Sequence, residues 1–225
     1  MTLQAVLFDM DGLLVDSEPL WFEVEAQIMA RVGSSWGPAD QEHLIGGSLR
    51  RSTAYMQSKA VIPVAAETIA EWLTGGMADL VRRRGVPLMP GAAALLAEIT
   101  AAGLPFALVT SAEREIMAAA LDSIGVRFPV TVCAADVIKG KPDPEPYRQA
   151  AARLGVAPQH CAALEDSPTG ITSAHAAGCA VVAVPSVPPP DGLARLTVPS
   201  LEHLDLDTLR GVVAGHQPQA MTAES

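Results

Sequence analysis

The chain of 225 residues is 49% hydrophobic, which is enough to bury a core in one large or two modest domains and excludes wholesale disorder. Its formal net charge of −10 argues against a phosphate-backbone partner such as DNA or RNA. No apolar run is long enough for a membrane span, and the first predicted strand starts too early to leave room for a signal peptide. We therefore expect a cytoplasmic protein without a membrane or nucleic acid partner.

Short apolar runs near the N-terminus and through the second half of the chain predict β-strands. They lie at Leu3–Phe8, Phe106–Val109, Val130–Cys133, Cys161–Leu164 and Ala180–Val184. Helical patterns separate them after Pro90-Gly91 and at Glu113–Ile124, Pro144–Leu154 and Ile171–Ala177. Strands that alternate with helices of about ten residues predict right-handed βαβ units. The predicted fold class is therefore α/β, with a Rossmann-like, doubly wound parallel sheet as its core.

The stretch between Asp16 and Pro87 interrupts this alternation, because it is helical and has no convincing strand. Helices are predicted at Glu18–Val32, Ser48–Lys59 and Ala65–Arg84, the last with a possible break at Gly75-Gly76. We interpret the stretch as an inserted helical cap. The predicted organisation is a core of residues 1–16 and 87–215, a cap of residues 17–86 and a flexible tail of residues 216–225.

Two carboxylates, Asp9 and Asp11, follow the N-terminal strand, with Gly12 behind them. Residues two apart point the same way along a strand, and carboxylates this close need a proton or a nearby cation. Gly12 permits a tight backbone and the close approach of a ligand. The alternative is that Asp9 caps the strand while Asp11 and Gly12 form an ordinary turn. The first interpretation predicts a site for a metal and a phosphate.

Polar residues also follow the other predicted strands, namely Thr110 and Ser111, Lys141, and Glu165 and Asp166. Because parallel strands end at the same edge of a sheet, we expect these side chains to meet Asp9 there. Each has a simpler explanation when it is taken alone. Thr110 could cap a helix, Lys141 could lie in a surface loop, and Glu165 with Asp166 could be capping acids. The ordered set is more specific, and it predicts one site.

Such a site has oxygen ligands without histidine or cysteine, which favours Mg²⁺ over zinc. With Mg²⁺ neutralising the site, Asp9 can attack phosphorus and form an aspartyl-phosphate. Asp11 is then free to protonate the leaving oxygen and afterwards to activate water. Thr110, Ser111 and Lys141 are predicted to bind the substrate phosphate, and Thr110 and Lys141 to counter charge that spreads during transfer.

The four motifs resemble those of haloacid dehalogenase superfamily hydrolases with a helical cap, over roughly residues 4–185. The branch they resemble most contains β-phosphoglucomutase-like proteins and sugar-phosphate phosphatases. The motifs are Asp9-Met10-Asp11-Gly12, Val109-Thr110-Ser111, Lys141-Pro142-Asp143-Pro144 and Leu164-Glu165-Asp166-Ser167. The resemblance implies that Asp9 is the nucleophile and Asp11 the acid and base. It also implies Mg²⁺ ligation by the Asp9 carboxylate, the Asp11 backbone carbonyl and Asp166, with Glu165 contributing directly or through water.

Two predicted substrate residues lie in the cap. The segment around Trp21 resembles that of phosphatases acting on hexose and hexitol phosphates, whereas β-phosphoglucomutases carry a histidine at this position. Trp21 can stack on a sugar or simply pack. Arg50 resembles a cap arginine that holds a distal anionic group in the mutases, or it is a solvated helix residue. Glu23 and Glu25 could contact hydroxyl groups, although acidic residues on a helix are usually solvated.

The function that these patterns favour is a monomeric, Mg²⁺-dependent phosphatase acting on a small sugar or polyol phosphate. One alternative is a mutase of the β-phosphoglucomutase type that shares the aspartyl-phosphate. Another is a catalytically silent protein that binds phosphosugars. The intact set of carboxylates, hydroxyls and lysine argues against silence, because a binding protein needs no nucleophile and no acid and base.

Overall fold

A parallel β-sheet forms the centre of the fold in the computed structural model, which describes residues 1–44 and 47–216. Within those residues the sheet has six strands: β1 (Ala5–Phe8), β2 (Phe106–Val109), β3 (Val130–Val132), β4 (Cys161–Glu165), β5 (Ala180–Ala183) and β6 (Leu196–Thr197). They lie in the order β3-β2-β1-β4-β5-β6, and every neighbouring pair is parallel. The order reverses between β1 and β4. The predicted α/β class with a Rossmann-like, doubly wound core is confirmed.

Nine α-helices accompany the sheet within the described residues. They are α1 (Glu18–Arg31), α2 (Pro38–Leu44), α3 (Leu49–Lys59), α4 (Ala66–Arg84), α5 (Ala92–Ala101), α6 (Arg114–Ile124), α7 (Glu145–Leu154), α8 (Pro168–Ala177) and α9 (Leu206–Ala214). Short 3₁₀ turns lie at Ala134–Asp136, Pro158–His160 and Leu201–His203. None of the described helices is long and apolar enough to cross a membrane.

Helix α4 is continuous, so the predicted break at Gly75-Gly76 is wrong. A side-chain carbon at Gly76 would lie 3.0 Å from Val24, so the missing side chain lets α4 pack closely on α1. The sequence analysis also missed α2, α9 and β6. Each is short, and β6 contains two residues, so that none has room for a strong periodic pattern.

Apolar side chains cover both faces of the sheet, which explains why its strands are continuous apolar runs. Ala5 and Leu7 of β1 join a buried cluster with residues of α7 and α8. Val6 and Phe8 point to the opposite face and join a larger cluster that includes residues of α5 and α9. All four side chains are fully buried. The sheet thus lies buried between two layers of helices.

The helices α1 to α4 follow β1 in the chain and precede α5. The two points where this helical segment leaves and rejoins the rest of the chain are adjacent, because the Asp16 N–H donates to the Pro87 carbonyl at 2.9 Å. Helix α4 packs against α6, and its buried side chains belong to the larger core cluster. The division into core and cap stays a prediction. The predicted tail lies outside the described residues except for His216.

Candidate active site

A cavity opens at the carboxyl end of the sheet, beside the point where the strand order reverses. It encloses about 930 Å³ when the open space at its mouth is included. Glu165 lies fully buried behind the cavity, and Arg50 lines a smaller adjoining cavity. Seven predicted site residues line the main cavity: Asp9, Asp11, Trp21, Thr110, Ser111, Lys141 and Asp166.

The ammonium group of Lys141 connects two of the predicted carboxylates. Its Nζ donates to Asp9 Oδ1 at 2.5 Å, to Glu165 Oε1 at 2.6 Å and to the Val109 carbonyl at 2.9 Å. The Lys141 side chain is only 3% exposed. The loop that carries Lys141 therefore directs this side chain into the protein, and the surface-loop explanation is wrong for this residue. Asp9 Oδ2 is left free of any such partner among the described residues.

Glu165 is fixed from two further directions. The Tyr147 hydroxyl donates to Glu165 Oε1 at 2.5 Å, and the Ser167 hydroxyl donates to Oε2 at 3.2 Å. Both oxygens are therefore occupied by protein donors. The sequence analysis missed Tyr147. In the sequence it is one aromatic residue within a predicted helix, and nothing there marks it as a residue of the site. Ser167 caps α8 by accepting from the Gly170 N–H, so that the two preceding carboxylates are not needed as helix caps.

Asp11 lies beyond the strand, which ends at Phe8, so strand periodicity does not explain its direction. A tight turn places it instead, closed by hydrogen bonds from the Gly12 N–H to Val15 and from the Val15 N–H to Met10. This turn brings the Asp11 side chain to the cavity that Asp9 also lines, so the two residues face one site as expected. Gly12 has a φ of +80°, a left-handed conformation that favours glycine.

Residues from two other elements contact the Asp11 carboxylate. The Ser17 hydroxyl donates to Oδ1 at 2.7 Å, and the Trp21 indole Nε1 donates to the same oxygen at 3.2 Å. The Thr110 hydroxyl lies 3.5 Å from Oδ2. The sequence analysis predicted the position of Trp21 beside the site but not this bond. Ser17 was missed as a site residue.

Thr110 and Ser111 form the short link between β2 and α6. The Thr110 hydroxyl accepts from the Ala112 N–H at 2.9 Å, whereas α6 has Glu113 at its N-terminal cap position. The helix-cap explanation for Thr110 is therefore wrong. Ser111 lines both the main cavity and the adjoining one.

Three buried carboxylates, Asp9, Glu165 and Asp166, offer oxygen atoms that all lie within 4.8 Å of one another. The Ser186 hydroxyl donates to Asp166 Oδ2 at 3.1 Å. A side-chain carbon at Gly12 would lie 2.5 Å from the same oxygen, so the glycine leaves room for the carboxylate. The donor set is all oxygen and fits a hard divalent cation such as Mg²⁺.

The electrostatics of these groups agree with a cation site. Burial raises the pKa of Asp9 well above its usual value, with Lys141 opposing the shift and Glu165 adding to it. Burial and the Glu165 charge raise the pKa of Asp166 to about 8. Burial alone would lower the pKa of Lys141, but Asp9 and Glu165 hold it above its usual range. A divalent cation would offset the negative charge that one lysine leaves uncompensated.

The side of the cavity that α1 and α2 form carries further polar groups. Glu18, Glu25 and Gln41 line it, together with the apolar side chains of Leu44 and Leu73. The structure places the two acidic residues of α1 differently. Glu25 is buried and lines the cavity, whereas Glu23 pairs with Arg84 away from it, and a contact of either residue with substrate hydroxyls stays a prediction.

Comparisons with known proteins agree with this arrangement. The family described as haloacid dehalogenase-like hydrolase matches residues 6–184. The chain belongs to this family. It is 38% identical to hexitol phosphatase A of Escherichia coli K12 over 197 residues, which cover 82% of this chain and 84% of that protein. It is 34% identical to a probable pseudouridine-5′-phosphatase of Drosophila melanogaster, with 80% of each chain covered.

A solved structure also resembles this chain in three dimensions. The crystal structure of CbbY from Rhodobacter sphaeroides in complex with phosphate matches with a TM-score of 0.83 at 26% identity. The match covers 93% of this chain and 99% of that chain. The predicted family is thus confirmed, and so is the predicted class of enzyme, a hydrolase whose relatives include named phosphatases.

Proposed function

We propose that this hydrolase is a Mg²⁺-dependent phosphatase of small sugar or polyol phosphates that works through an aspartyl-phosphate at Asp9. The observation behind the proposal is the geometry around Asp9. Its Oδ1 is held by Lys141, its Oδ2 has no hydrogen-bond partner among the residues that the structure describes, and the residue lines the cavity. The relative named hexitol phosphatase A supports the class of substrate. The phosphate in the CbbY complex supports the kind of group bound.

The reaction divides into two displacements at phosphorus. In the first, Asp9 Oδ2 forms a bond to phosphorus, the bond from phosphorus to the ester oxygen breaks, and Asp11 gives its proton to that oxygen. In the second, Asp11 takes a proton from water, whose oxygen attacks phosphorus. Inorganic phosphate leaves, and the Asp9 carboxylate is regenerated.

Neighbouring residues hold the reacting groups in place. Lys141 fixes the direction of Asp9, and Ser17 with Trp21 fixes that of Asp11. Thr110 and Ser111 face the position of the phosphoryl group from the end of β2, where their donors can counter its charge.

The proposed Mg²⁺ site consists of the carboxylates of Asp9 and Asp166, with the Asp11 carbonyl as predicted from the family resemblance. When bound, the ion would neutralise the carboxylates and the phosphate, so that an anionic nucleophile can approach an anionic ester. We assign Glu165 to positioning Lys141, because the two oxygens of Glu165 already accept hydrogen bonds from protein groups.

A mutase is the second candidate, and the structure offers one residue that bears on it. Arg50 is exposed at the start of α3 and lines the cavity that also contacts Thr110, Ser111 and Lys141. It stays a predicted substrate residue for a distal anionic group. The monomeric state and the cytoplasmic location also stay predictions.

A screen of phosphate esters with Mg²⁺ tests the proposal. Release of inorganic phosphate is measured from hexitol 6-phosphates, hexose 6-phosphates, hexose 1-phosphates and p-nitrophenyl phosphate, with Asp9→Asn as the matched control. Phosphatase activity predicts release that the control lacks. Conversion of glucose 1-phosphate to glucose 6-phosphate without phosphate release would favour the mutase, and no turnover of any ester would contradict both.

A further inference from the structure

The cap wall of the main cavity, which we define as Glu18, Glu25 and Gln41, carries carboxylates opposite the reacting groups. Glu25 is only 5% exposed although it is an acidic residue on a helix near the surface. Burying a carboxylate without a cation is costly. A residue kept in such a position is therefore a candidate for a role in binding.

The surroundings of Glu25 fix one of its oxygens and leave the other without a hydrogen-bond partner in the part of the chain that the structure describes. The Trp36 indole Nε1 donates to Oε2 at 3.0 Å, and Glu25 makes no other hydrogen bond among the described residues. Trp36 is itself packed edge-on against Tyr55, with ring centroids 5.8 Å apart, and the Lys59 ammonium lies 5.7 Å from its ring. Glu25 Oε1 is thus the oxygen available to a molecule in the cavity.

Glu18 and Gln41 extend this polar surface toward the reacting groups. Gln41 Nε2 donates to the Glu18 carbonyl at 2.7 Å and to Glu18 Oε2 at 3.1 Å. Burial and the Asp11 charge raise the pKa of Glu18. Burial raises the pKa of Glu25 to about 7, although the Trp36 hydrogen bond opposes the shift. Above that pH Glu25 presents a negative charge to the cavity.

No cation compensates the cap wall within the described part of the chain, since neither Glu18 nor Glu25 takes part in an ion pair there. Lys141 is the one cationic side chain among the described residues that line the main cavity. Its three N–H groups already donate to Asp9, Glu165 and a backbone carbonyl. Arg50 lines the adjoining cavity instead.

We propose that the cap wall binds hydroxyl groups of the leaving group and rejects leaving groups that carry a negative charge of their own. Carboxylate and amide oxygens accept hydrogen bonds from hydroxyls, whereas a carboxylate or a second phosphate placed against the cap wall would meet like charge, with no unpaired cation among the described residues that line the main cavity. The substrate class is then the monophosphate of an uncharged polyol or sugar. This inference rests on the proposed phosphatase function and adds to it which leaving groups the site accepts.

Two esters that differ at one end test the inference. Hexitol 6-phosphate and hexonate 6-phosphate have the same carbon chain, but the second ends in a carboxylate. Their kcat/KM values are compared at pH 8 for wild type, Glu25→Gln and Glu18→Gln, with p-nitrophenyl phosphate as the substrate that does not reach the cap wall. Glu23→Gln is the matched control, because Glu23 lies on the same helix and pairs with Arg84.

Wild type should prefer hexitol 6-phosphate, and Glu25→Gln should reduce that preference about tenfold, the scale of one like-charge contact in a water-filled cavity. Glu18→Gln should act in the same direction, and Glu23→Gln should leave the ratio unchanged. An unchanged ratio in both cap-wall variants, with p-nitrophenyl phosphate still hydrolysed, overturns the inference and leaves the phosphatase standing. Loss of hydrolysis of every ester by wild type overturns the phosphatase and the inference together.

Discussion

The indole Nε1 of Trp21 donates a hydrogen bond to Asp11 Oδ1 at 3.2 Å. This bond connects helix α1 to the residue proposed as acid and base. Ser17 donates to the same oxygen at 2.7 Å. Trp21, which the sequence analysis predicts as a surface for the sugar, therefore also holds the Asp11 carboxylate by a hydrogen bond. The two roles make different predictions for substitutions at this position.

Trp21→Phe keeps an aromatic ring and removes the donor, whereas Trp21→Ala removes both. If the bond to Asp11 matters, both variants lower kcat on a hexitol phosphate about tenfold with little change in KM, the scale of one hydrogen bond to a charged group. Steady-state kinetics of the two variants provide the measurement. Full activity in Trp21→Phe with a raised KM in Trp21→Ala would show that stacking on the sugar is the role instead.

Removal of the metal should stop turnover. Carboxylate oxygens of Asp9 and Asp166 lie within 4.8 Å of each other, and the single positive charge of Lys141 does not balance their negative charge. We expect no activity in EDTA, recovery with Mg²⁺ and poor recovery with Ca²⁺, which is larger and prefers more ligands. Asp166→Ala should weaken Mg²⁺ binding by more than about tenfold in titration calorimetry. Full activity in chelator would contradict the metal site.

Gly170 in α8 leaves the space that the Glu165 carboxylate fills, since a side-chain carbon there would lie 2.0 Å from it. Gly170→Ala should cost roughly 1–3 kcal/mol of unfolding free energy, as overpacking does in cores, and should lower activity by displacing Lys141. The matched control is Gly211→Ala in α9, where nothing lies within 4 Å. It should stabilise by roughly 0.5–1 kcal/mol in urea unfolding. Equal stability of the two variants would show that Gly170 is not constrained.

The buried Glu25 should make the protein less stable as the pH rises. Its pKa is about 7 in the native state against 4.5 as the ordinary value, so between these pH values the unfolded chain has lost a proton that the native protein holds. The unfolding free energy therefore falls across that range and levels off above it, by at most about 3 kcal/mol.

Glu25→Gln removes this dependence, so the variant should be more stable than wild type at pH 8 and equal to it near pH 4.5. Urea unfolding at the two pH values measures the difference. Glu23→Gln is again the control, because the partly exposed carboxylate of Glu23 pairs with Arg84, and this variant should show no such gain. A Glu25→Gln variant that gains nothing at pH 8 would show that the buried carboxylate is not costly.

The sequence predicted the base of the site better than its surroundings. Asp9, Thr110, Lys141 and Asp166 could be found because each follows an apolar strand, and parallel strands bring their ends to one edge. Tyr147 could not be found in this way. Its hydroxyl reaches Glu165 from helix α7, which packs on the same face of the sheet, and nothing in a helical pattern shows which side chain will make such a contact.

The cap residues were harder to predict for a related reason. Helical periodicity places Glu23 and Glu25 on α1, but it does not show which one the packing of α1 against neighbouring helices will bury. The bond from Trp36 to Glu25 depends on how the segment after α1 folds back. The short helix α2, which contributes Gln41 to the cavity, has too few residues for a periodic signal.

The covalent step at Asp9 is the central claim, and a single turnover of an aryl phosphate by Asp11→Asn tests it most directly. An aryl oxide leaves without a proton from Asp11, but water is not activated afterwards, so the phosphorylated protein should accumulate. We predict a burst of one aryl alcohol per protein molecule and a phosphate on Asp9 in peptide mapping, both absent in the Asp9→Asn, Asp11→Asn double variant. A burst that survives in the double variant, or a phosphate on any other residue, would contradict the account.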